Sequence, residues 1–215
     1  MITFPKLLNH TIAHAGQPLP QLDAGIDWVL AANGLFKRAA NPALAACIQV
    51  RSWNFLIPGL ARLLPSVRWK HCPQRLPSQW LDVLLQEARK ACEHQSGITT
   101  PQEKQWFVIW RDGKVRLIAP QAQTASAVRV RYAMPTEPML LDVHSHHGMH
   151  AYFSTTDDRD DDGLSISMVI GRIFDRPEAV ARVNVYGHRQ LIPLSLLFEN
   201  GQSPFKEPLH VETYD

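Results

Sequence analysis

Short apolar stretches, separated by turn-forming residues, run along the first third of the chain in a pattern that predicts β-strands. The pair Asn33-Gly34 lies between two short apolar stretches, which is a strong hairpin signal because both turn positions of such a hairpin need positive φ. A further strand is expected at 45–50, and several prolines then interrupt the pattern. We therefore predict a small β-rich region at residues 1–75, of unknown role, with a proline-rich connection at 65–77. Its pattern suits a packing or partner-docking module.

At Ser78 the pattern changes to helical spacing. Ser78 is a suitable N-cap, apolar residues follow with helical periodicity as far as Ala88, and the helix is expected to end near 94–97. The later apolar segments predict strands at 106–110, 115–118, 128–132, 139–143, 164–174, 180–186 and 190–198. A helix followed mainly by strands favours an α+β domain at residues 76–215.

The composition is that of an ordinary globular protein, with 45% hydrophobic and 20% charged residues in 215. A formal charge of +2 gives no electrostatic basis for binding nucleic acid or a membrane surface. The three cysteines form no Cys-x-x-Cys pair, and no apolar run reaches the ~18 residues of a membrane span. We therefore expect a cytoplasmic protein with free thiols.

Histidine is the unusual component of the composition, and four of the ten histidines fall within seven positions: His144, His146, His147 and His150. His144 and His146 lie two residues apart at the end of a predicted strand, so both imidazoles can point to one place. Neutral imidazoles suit Zn²⁺, and a catalytic zinc needs a third protein ligand and an open position for water. Asp157 follows eleven residues after His146, in the first turn of a short helix that Ser154 would cap.

Each part of this pattern has a plainer explanation on its own. Ser154-x-x-Asp157 is also an ordinary helix-capping sequence, and a His-x-His pair is often just two polar residues at a strand end. The acidic run at 157–162 matches part of a calcium-binding loop, but Val169 stands at the twelfth position, where such a loop requires Glu. A solvated acidic loop is the simpler interpretation. The two histidines and Ser-x-x-Asp together are more specific than either part.

Together these residues resemble the His-x-His…Ser-x-x-Asp signature of the JAMM (MPN-plus) zinc metalloproteases, over roughly residues 78–200. The resemblance implies an α+β, cytidine-deaminase-like layered domain with a mixed β-sheet and flanking helices. It also implies that His144, His146 and Asp157 bind Zn²⁺ with a water as the fourth ligand. Ser154 would hydrogen-bond the oxyanion that develops during amide hydrolysis.

The family further needs a glutamate near an early strand as general base and acid, and Glu103 is the best match. Glu87 and Glu93 are weaker candidates because both fall within the predicted helix. The chain departs from the family pattern at His147, where proline is usual, and has no glycine soon after Glu103. We expect His147 and His150 to be solvent-exposed neighbours of the metal. Asp142 is either an orienting residue for a ligand or a simple strand-end charge.

The resemblance implies a peptidase or isopeptidase that cleaves after the tail of a ubiquitin-like protein. The most similar subgroup is that of the JAMM proteins of plasmid-borne bacterial PRTRC systems, whose gene set also includes an activating-enzyme-like protein and a small ubiquitin-like protein. Two alternatives stay open. The first is a non-catalytic scaffold or partner-binding module of the same fold, and the second is a zinc hydrolase of small-molecule amides.

Overall fold

The computed structural model describes residues 9–71, 75–95, 98–120, 123–125, 130–132, 134–199 and 204–205. The strands of the first region are β1 (His10–Ile12), β2 (Gly25–Ala31), β3 (Gly34–Ala40), β4 (Leu44–Ser52) and β5 (Ser66–Trp69). The elements that follow are α1 (Gln79–Lys90), β6 (Cys92–Gln95), β7 (Ile98–Pro101), β8 (Gln105–Arg111), β9 (Lys114–Ile118), β10 (Gln123–Ala125), β11 (Val130–Tyr132) and β12 (Met139–Ser145). The chain continues with α2 (Thr155–Asp160), β13 (Leu164–Gly171), β14 (Glu178–Val185), β15 (His188–Ile192) and a 3-10 turn (Leu194–Leu196).

The first region, which was predicted to be β-rich, is a five-stranded sheet in the order β1-β2-β3-β4-β5. The β2–β3 hairpin is confirmed, but its turn is wrong by one residue, because Ala31 pairs with Gly34 and the turn consists of Ala32 and Asn33. Gly34 is needed for a different reason than the one proposed. A Cβ at that position would lie 2.2 Å from the carbonyl oxygen of Arg51 on the neighbouring strand.

The predicted proline-rich connection is partly a strand. β5 runs through it and pairs with β4, with Trp69 opposite Leu44. The Trp69 side chain is buried, and its Nε1–H donates to the carbonyl oxygen of Leu140 at 2.9 Å. This bond joins the end of the first region to strand β12 of the second.

Helix α1 begins after Ser78 as predicted, although the Ser78 side chain makes no capping hydrogen bond. The predicted helix end near 94–97 is wrong, because the helix stops at Lys90 and the chain turns into strand β6, which pairs with β7. The helix packs on the core through Leu81, Leu84, Leu85 and Ala88. The residues predicted to form the last turn of the helix instead form strand β6, because they pair with β7.

The central sheet has six strands in the order β15-β14-β13-β12-β8-β9. Strands β12 and β13 are parallel and the other neighbours are antiparallel, so the sheet is mixed. β13 ends at Gly171 rather than at 174, and the last predicted strand divides into β15 and the 3-10 turn. Only 130–132 of the strand predicted at 128–132 is described, as β11, and the rest lies outside the described residues.

The two sheets share one hydrophobic core. Ala46, Ile48 and Trp69 of the first region are buried in the same cluster as Val143 and Met168 of the central sheet. A polar contact adds to this packing at the sheet edge, where Lys37 Nζ donates to the carbonyl oxygen of Tyr186 at 2.6 Å. Among the described helices, none is long and apolar enough to cross a membrane.

Because the core is shared, truncating a buried side chain in the first region should destabilise the whole chain. We expect Trp69→Ala to lower the free energy of unfolding by about 3–5 kcal/mol, as other buried Trp truncations do, in a single cooperative transition. Urea denaturation followed by circular dichroism measures this change. Leu64→Ala is the control, because Leu64 is 76% exposed and should cost under about 0.5 kcal/mol. Equal effects of the two substitutions would contradict the shared core.

Candidate metal centre

The two histidines lie at the end of β12, in the middle of the central sheet. His144 pairs with Gln105 of β8 on one side and with Val169 of β13 on the other. The backbone N–H of His146 donates to the carbonyl oxygen of Ile170 at 2.7 Å, so the chain is held just beyond the strand as well. This framework brings the two Nε2 atoms to 3.1 Å from each other, as the i, i+2 spacing predicted.

Asp157 reaches the histidines from α2, and both of its oxygens have defined places. Ser154 is the N-cap of α2, and its Oγ accepts a hydrogen bond from the Asp157 backbone N–H at 3.2 Å. In return, Asp157 Oδ2 accepts from the Ser154 backbone N–H at 2.5 Å, which completes a capping box. Oδ1 lies 3.4 Å from His144 Nε2. Different oxygens of Asp157 therefore make the capping contact and face the histidine, so the capping and ligand interpretations are compatible.

The arrangement fits a zinc ion. The ligand atoms of His144, His146 and Asp157 all lie within 4.8 Å of one another. Ligands of a tetrahedral zinc with bonds of 2.0–2.1 Å are separated by about 3.3–3.4 Å, close to the separations of 3.1 and 3.4 Å measured from His144 Nε2. The His146 Nδ1 is buried and has no hydrogen-bond partner among the described residues.

Burial also sets the protonation state that a metal requires. It lowers the pKa of His146 to about 4, with a further contribution from His144, and it lowers the pKa of His144 as well. Both rings are therefore neutral at neutral pH. A neutral imidazole presents a lone pair, so no proton has to be removed from these two ligands before a cation binds.

Glu103 precedes β8 and is only 7% exposed. Burial, with a smaller contribution from the negative charge of Asp157, raises its pKa to about 7, so the Glu103 carboxyl interacts electrostatically with one of the candidate metal ligands. Glu87 has a different environment. It pairs with Lys104 at 2.8 Å, and this contact lowers its pKa. The Glu93 side chain lies outside the described residues.

Of the two neighbouring histidines, both expected to be solvent-exposed, His150 is exposed and His147 is half-buried. The His150 side chain is 69% exposed, but its Nδ1 also lies 2.9 Å from Glu178 Oε2, so it has a partner that sequence reasoning missed. His147 adopts a left-handed backbone with φ of 34°, and its Nδ1 accepts from the Gly148 N–H at 2.9 Å. Proline cannot adopt this conformation, because its ring fixes φ near about −65°, although proline is usual at this position in the family that the sequence resembles.

Asp142 accepts a hydrogen bond from the Gln105 side chain.

Two further residues at the site were not identified from the sequence. The Tyr152 ring packs edge-on against His146 with centroids 4.8 Å apart, and its side chain is 47% exposed, so it lies between the ligand and solvent. Gly171 lets the loop after the histidines pass close to β13, because a Cβ there would lie 2.4 Å from the backbone nitrogen of Ala151. An aromatic next to a capping motif and an isolated glycine at a strand end carry no distinctive sequence signal.

The acidic run is neither a solvated loop nor a calcium loop. Its first residues form α2, and Val169 is buried in β13, where it cannot be a ligand. Asp158 and Asp161 pair with the guanidinium of Arg182 at 2.5 and 2.8 Å. The sequence could not show this, because Arg182 lies more than twenty residues further along the chain.

A comparison with known proteins finds a match over the part of the chain that contains the candidate metal centre. Residues 77–185 match a family model described as prokaryotic homologs of the JAB domain, which is just over half of the 215 residues. The matched segment contains Glu103, the two histidines, Ser154 and Asp157. No curated protein matches the chain significantly.

Proposed function

The chain belongs to the family of prokaryotic homologs of the JAB domain, and from this membership we propose that it is a zinc-dependent peptidase or isopeptidase. One observation carries the proposal. His144, His146 and Asp157 bring three ligand atoms within 4.8 Å of one another, with both partners of His144 Nε2 at 3.1–3.4 Å, and a buried carboxyl with a raised pKa feels the charge of Asp157. A purely structural cluster would have no need of two neutral imidazoles whose Nε2 atoms face each other.

Zinc held by these three side chains would supply Lewis-acid polarisation of a carbonyl oxygen and would acidify a water molecule. Glu103 then acts as the proton carrier. As a carboxylate it accepts a proton from the attacking water, and as a carboxylic acid it donates that proton to the leaving amine nitrogen. The pKa is about 7 without metal and lower beside a bound dication, so the carboxylate is the resting form at neutral pH and is ready to accept the proton.

In this proposal Ser154 donates a hydrogen bond to the substrate. Its Oγ already accepts from the Asp157 N–H, so the hydroxyl proton can point elsewhere. We assign this proton to the carbonyl oxygen of the scissile bond as negative charge develops on it. Donors in such positions typically stabilise the transition state by about 2.7–4 kcal/mol.

The substrate that we propose is an amide bond that follows the extended tail of a ubiquitin-like protein. The ligand side chains support a narrow approach, because His144 is 13% exposed and Asp157 is 18% exposed. A thin, extended chain can enter such an opening, whereas a folded surface cannot. By resemblance we place the protein in a PRTRC-type bacterial system, with the ubiquitin-like protein or its conjugates as substrate and an activating-enzyme-like protein as a further partner.

Cleavage of a linear fusion tests the proposal directly. We expect zinc-loaded protein to cut a ubiquitin-like protein fused to a reporter peptide immediately after the tail, as identified by mass spectrometry. Removal of zinc with a chelator should stop cleavage, and added zinc should restore it. Stoichiometric zinc without cleavage of any fusion would contradict the peptidase assignment. A parallel panel of small-molecule amides separates a peptidase from a general amide hydrolase.

A non-catalytic scaffold or partner-binding module is the second candidate function. It is favoured by the exposed apolar side chains of Phe55, Leu56 and Leu64 between β4 and β5, which are 63, 57 and 76% exposed. Metal-free protein that stays folded and binds its partner with unchanged affinity, while no fusion is cut by the zinc-loaded form, would favour this function over the first.

A further inference from the structure

Helix α2 carries the carboxylate ligand but has no buried residue of its own. It is six residues long, and isolated helices of that length are not stable in water. The local capping box starts the helix but does not fix its distance from the histidines, which belong to a different element. The position of Asp157 relative to β12 must therefore come from contacts that other parts of the fold make with α2.

Several of these contacts come from Arg182 on β14, whose side chain is 5% exposed, and Arg189 on β15 donates to the carbonyl oxygen of Asp158. Its guanidinium pairs with Asp158 Oδ1 at 2.5 Å and with Asp161 Oδ2 at 2.8 Å. It also lies over the ring of Phe153, 3.9 Å from the centroid. One buried cation thus contacts the residue before the N-cap, the residue next to the metal ligand and the C-cap of the helix.

The sheet fixes Arg182 in turn. In the β13–β14 pairing Arg182 lies opposite Ser167, whose hydroxyl donates to Asp161 Oδ1 at 3.0 Å. In the parallel β12–β13 pairing Ser167 lies opposite Asp142, two residues before His144. A row of polar side chains therefore crosses three strands beneath α2. The strand that carries the histidines and the helix that carries the carboxylate are both connected to this row.

We propose that Arg182 is a positioning residue of the metal centre: it holds α2, and with it the Asp157 carboxylate, at the distance from His144 and His146 that zinc requires. The inference rests on the proposed function, because it concerns the same metal. An effect of the Arg182 charge alone would change zinc affinity in the opposite direction to an effect on positioning. Removing a cation from beside two carboxylates should strengthen zinc binding, whereas loss of positioning should weaken it.

The test measures zinc affinity in Arg182→Met and Arg182→Lys by competition with a chromophoric chelator. We expect a 10–100-fold weaker Kd for Arg182→Met, the usual effect of removing a residue that orients a ligand. Arg182→Lys should recover part of this loss, because it keeps the charge but not the planar fork. The visible spectrum of the Co²⁺-substituted protein should also change in Arg182→Met, as the carboxylate withdraws from the coordination sphere.

Arg38→Met is the matched control, because Arg38 is a second largely buried arginine whose side chain is 12% exposed and pairs with Asp27 at 2.7 Å in the first sheet. It should leave the zinc Kd within about twofold of the wild-type value. If Arg182→Met does not fold, the double variant Asp158→Ala/Asp161→Ala removes the two ion pairs from the helix side. A wild-type Kd in the folded Arg182 or Asp158/Asp161 variant would overturn this inference alone. Wild-type protein that binds no zinc would overturn the proposed function and this inference together.

Discussion

His146→Ala should reduce zinc from stoichiometric to background levels and abolish cleavage of the fusion substrate. Three protein donors are the usual minimum for a catalytic zinc, and this substitution leaves only His144 and Asp157. The fold itself should survive, because the lost ring gives up no hydrogen bond at Nδ1. Elemental analysis of purified protein measures the metal, and far-UV circular dichroism confirms the fold.

His150→Ala is the matched control for this experiment. His150 lies four residues further along the same loop and interacts with Glu178 instead of the ligand cluster, so its loss should leave zinc bound. Asp157→Asn provides a second check on the ligand set. The amide oxygen can still accept from the Ser154 N–H and cap α2, but the anionic ligand is gone. Full zinc occupancy in His146→Ala, or its loss in His150→Ala, would contradict the assignment of ligands.

Glu103→Gln should keep the zinc and lose the reaction. The substitution preserves shape but removes the proton carrier, for which we expect a fall in kcat of about 10²–10⁴-fold. Glu87→Gln is the matched control, since Glu87 belongs to the pair with Lys104 and should leave kcat unchanged. Loss of zinc together with activity in Glu103→Gln would show that this residue supports the site rather than the proton transfer.

The pH dependence of both activity and stability gives the same residue a second test. The active base is the carboxylate, so kcat/KM should fall as pH drops through the pKa of Glu103, which is about 7 without metal and lower when a dication is bound. In metal-free protein the folded-state pKa of about 7 exceeds the ordinary value of 4.5, so the native state binds this proton more tightly than the unfolded chain.

Stability of the metal-free protein is therefore lost as pH rises from 4.5 to 7, by up to about 3 kcal/mol. Glu103→Gln has no charge to bury and should be the more stable protein above pH 7, while the difference should vanish near pH 4. Urea denaturation at several pH values measures both curves. Parallel curves for the two proteins would show that the Glu103 carboxyl is not perturbed.

The elements that were predicted correctly depend on local information. The apolar stretches of β2, β3 and β12 and the spacing of His144, His146 and Asp157 are contained in short stretches of sequence; the strands form, and the three side chains come together. Local patterns of this kind can be predicted from the sequence, because the spacing of residues along the chain determines which side chains share a face.

The errors occurred where a distant segment determines the outcome. The last predicted turn of α1 gave way to pairing between β6 and β7, and the hairpin turn moved by one residue because Gly34 lies against Arg51. The acidic run was predicted to be a solvated loop because no residue near it in sequence indicates that Arg182 pairs with it. Tertiary contacts of this kind override local propensity and cannot be read from a single sequence.

The capping box of α2 bears on which metal the site can select. With Oδ2 of Asp157 engaged by the Ser154 N–H, only Oδ1 faces the histidines, so this carboxylate can bind a cation through one oxygen but not two. Ca²⁺ takes six to eight oxygen ligands, often from bidentate carboxylates, and Mg²⁺ demands a near-ideal octahedron. A set of two imidazoles and one carboxylate oxygen discriminates against both of these abundant ions. The hydrogen bond that begins a short helix thereby also contributes to metal discrimination.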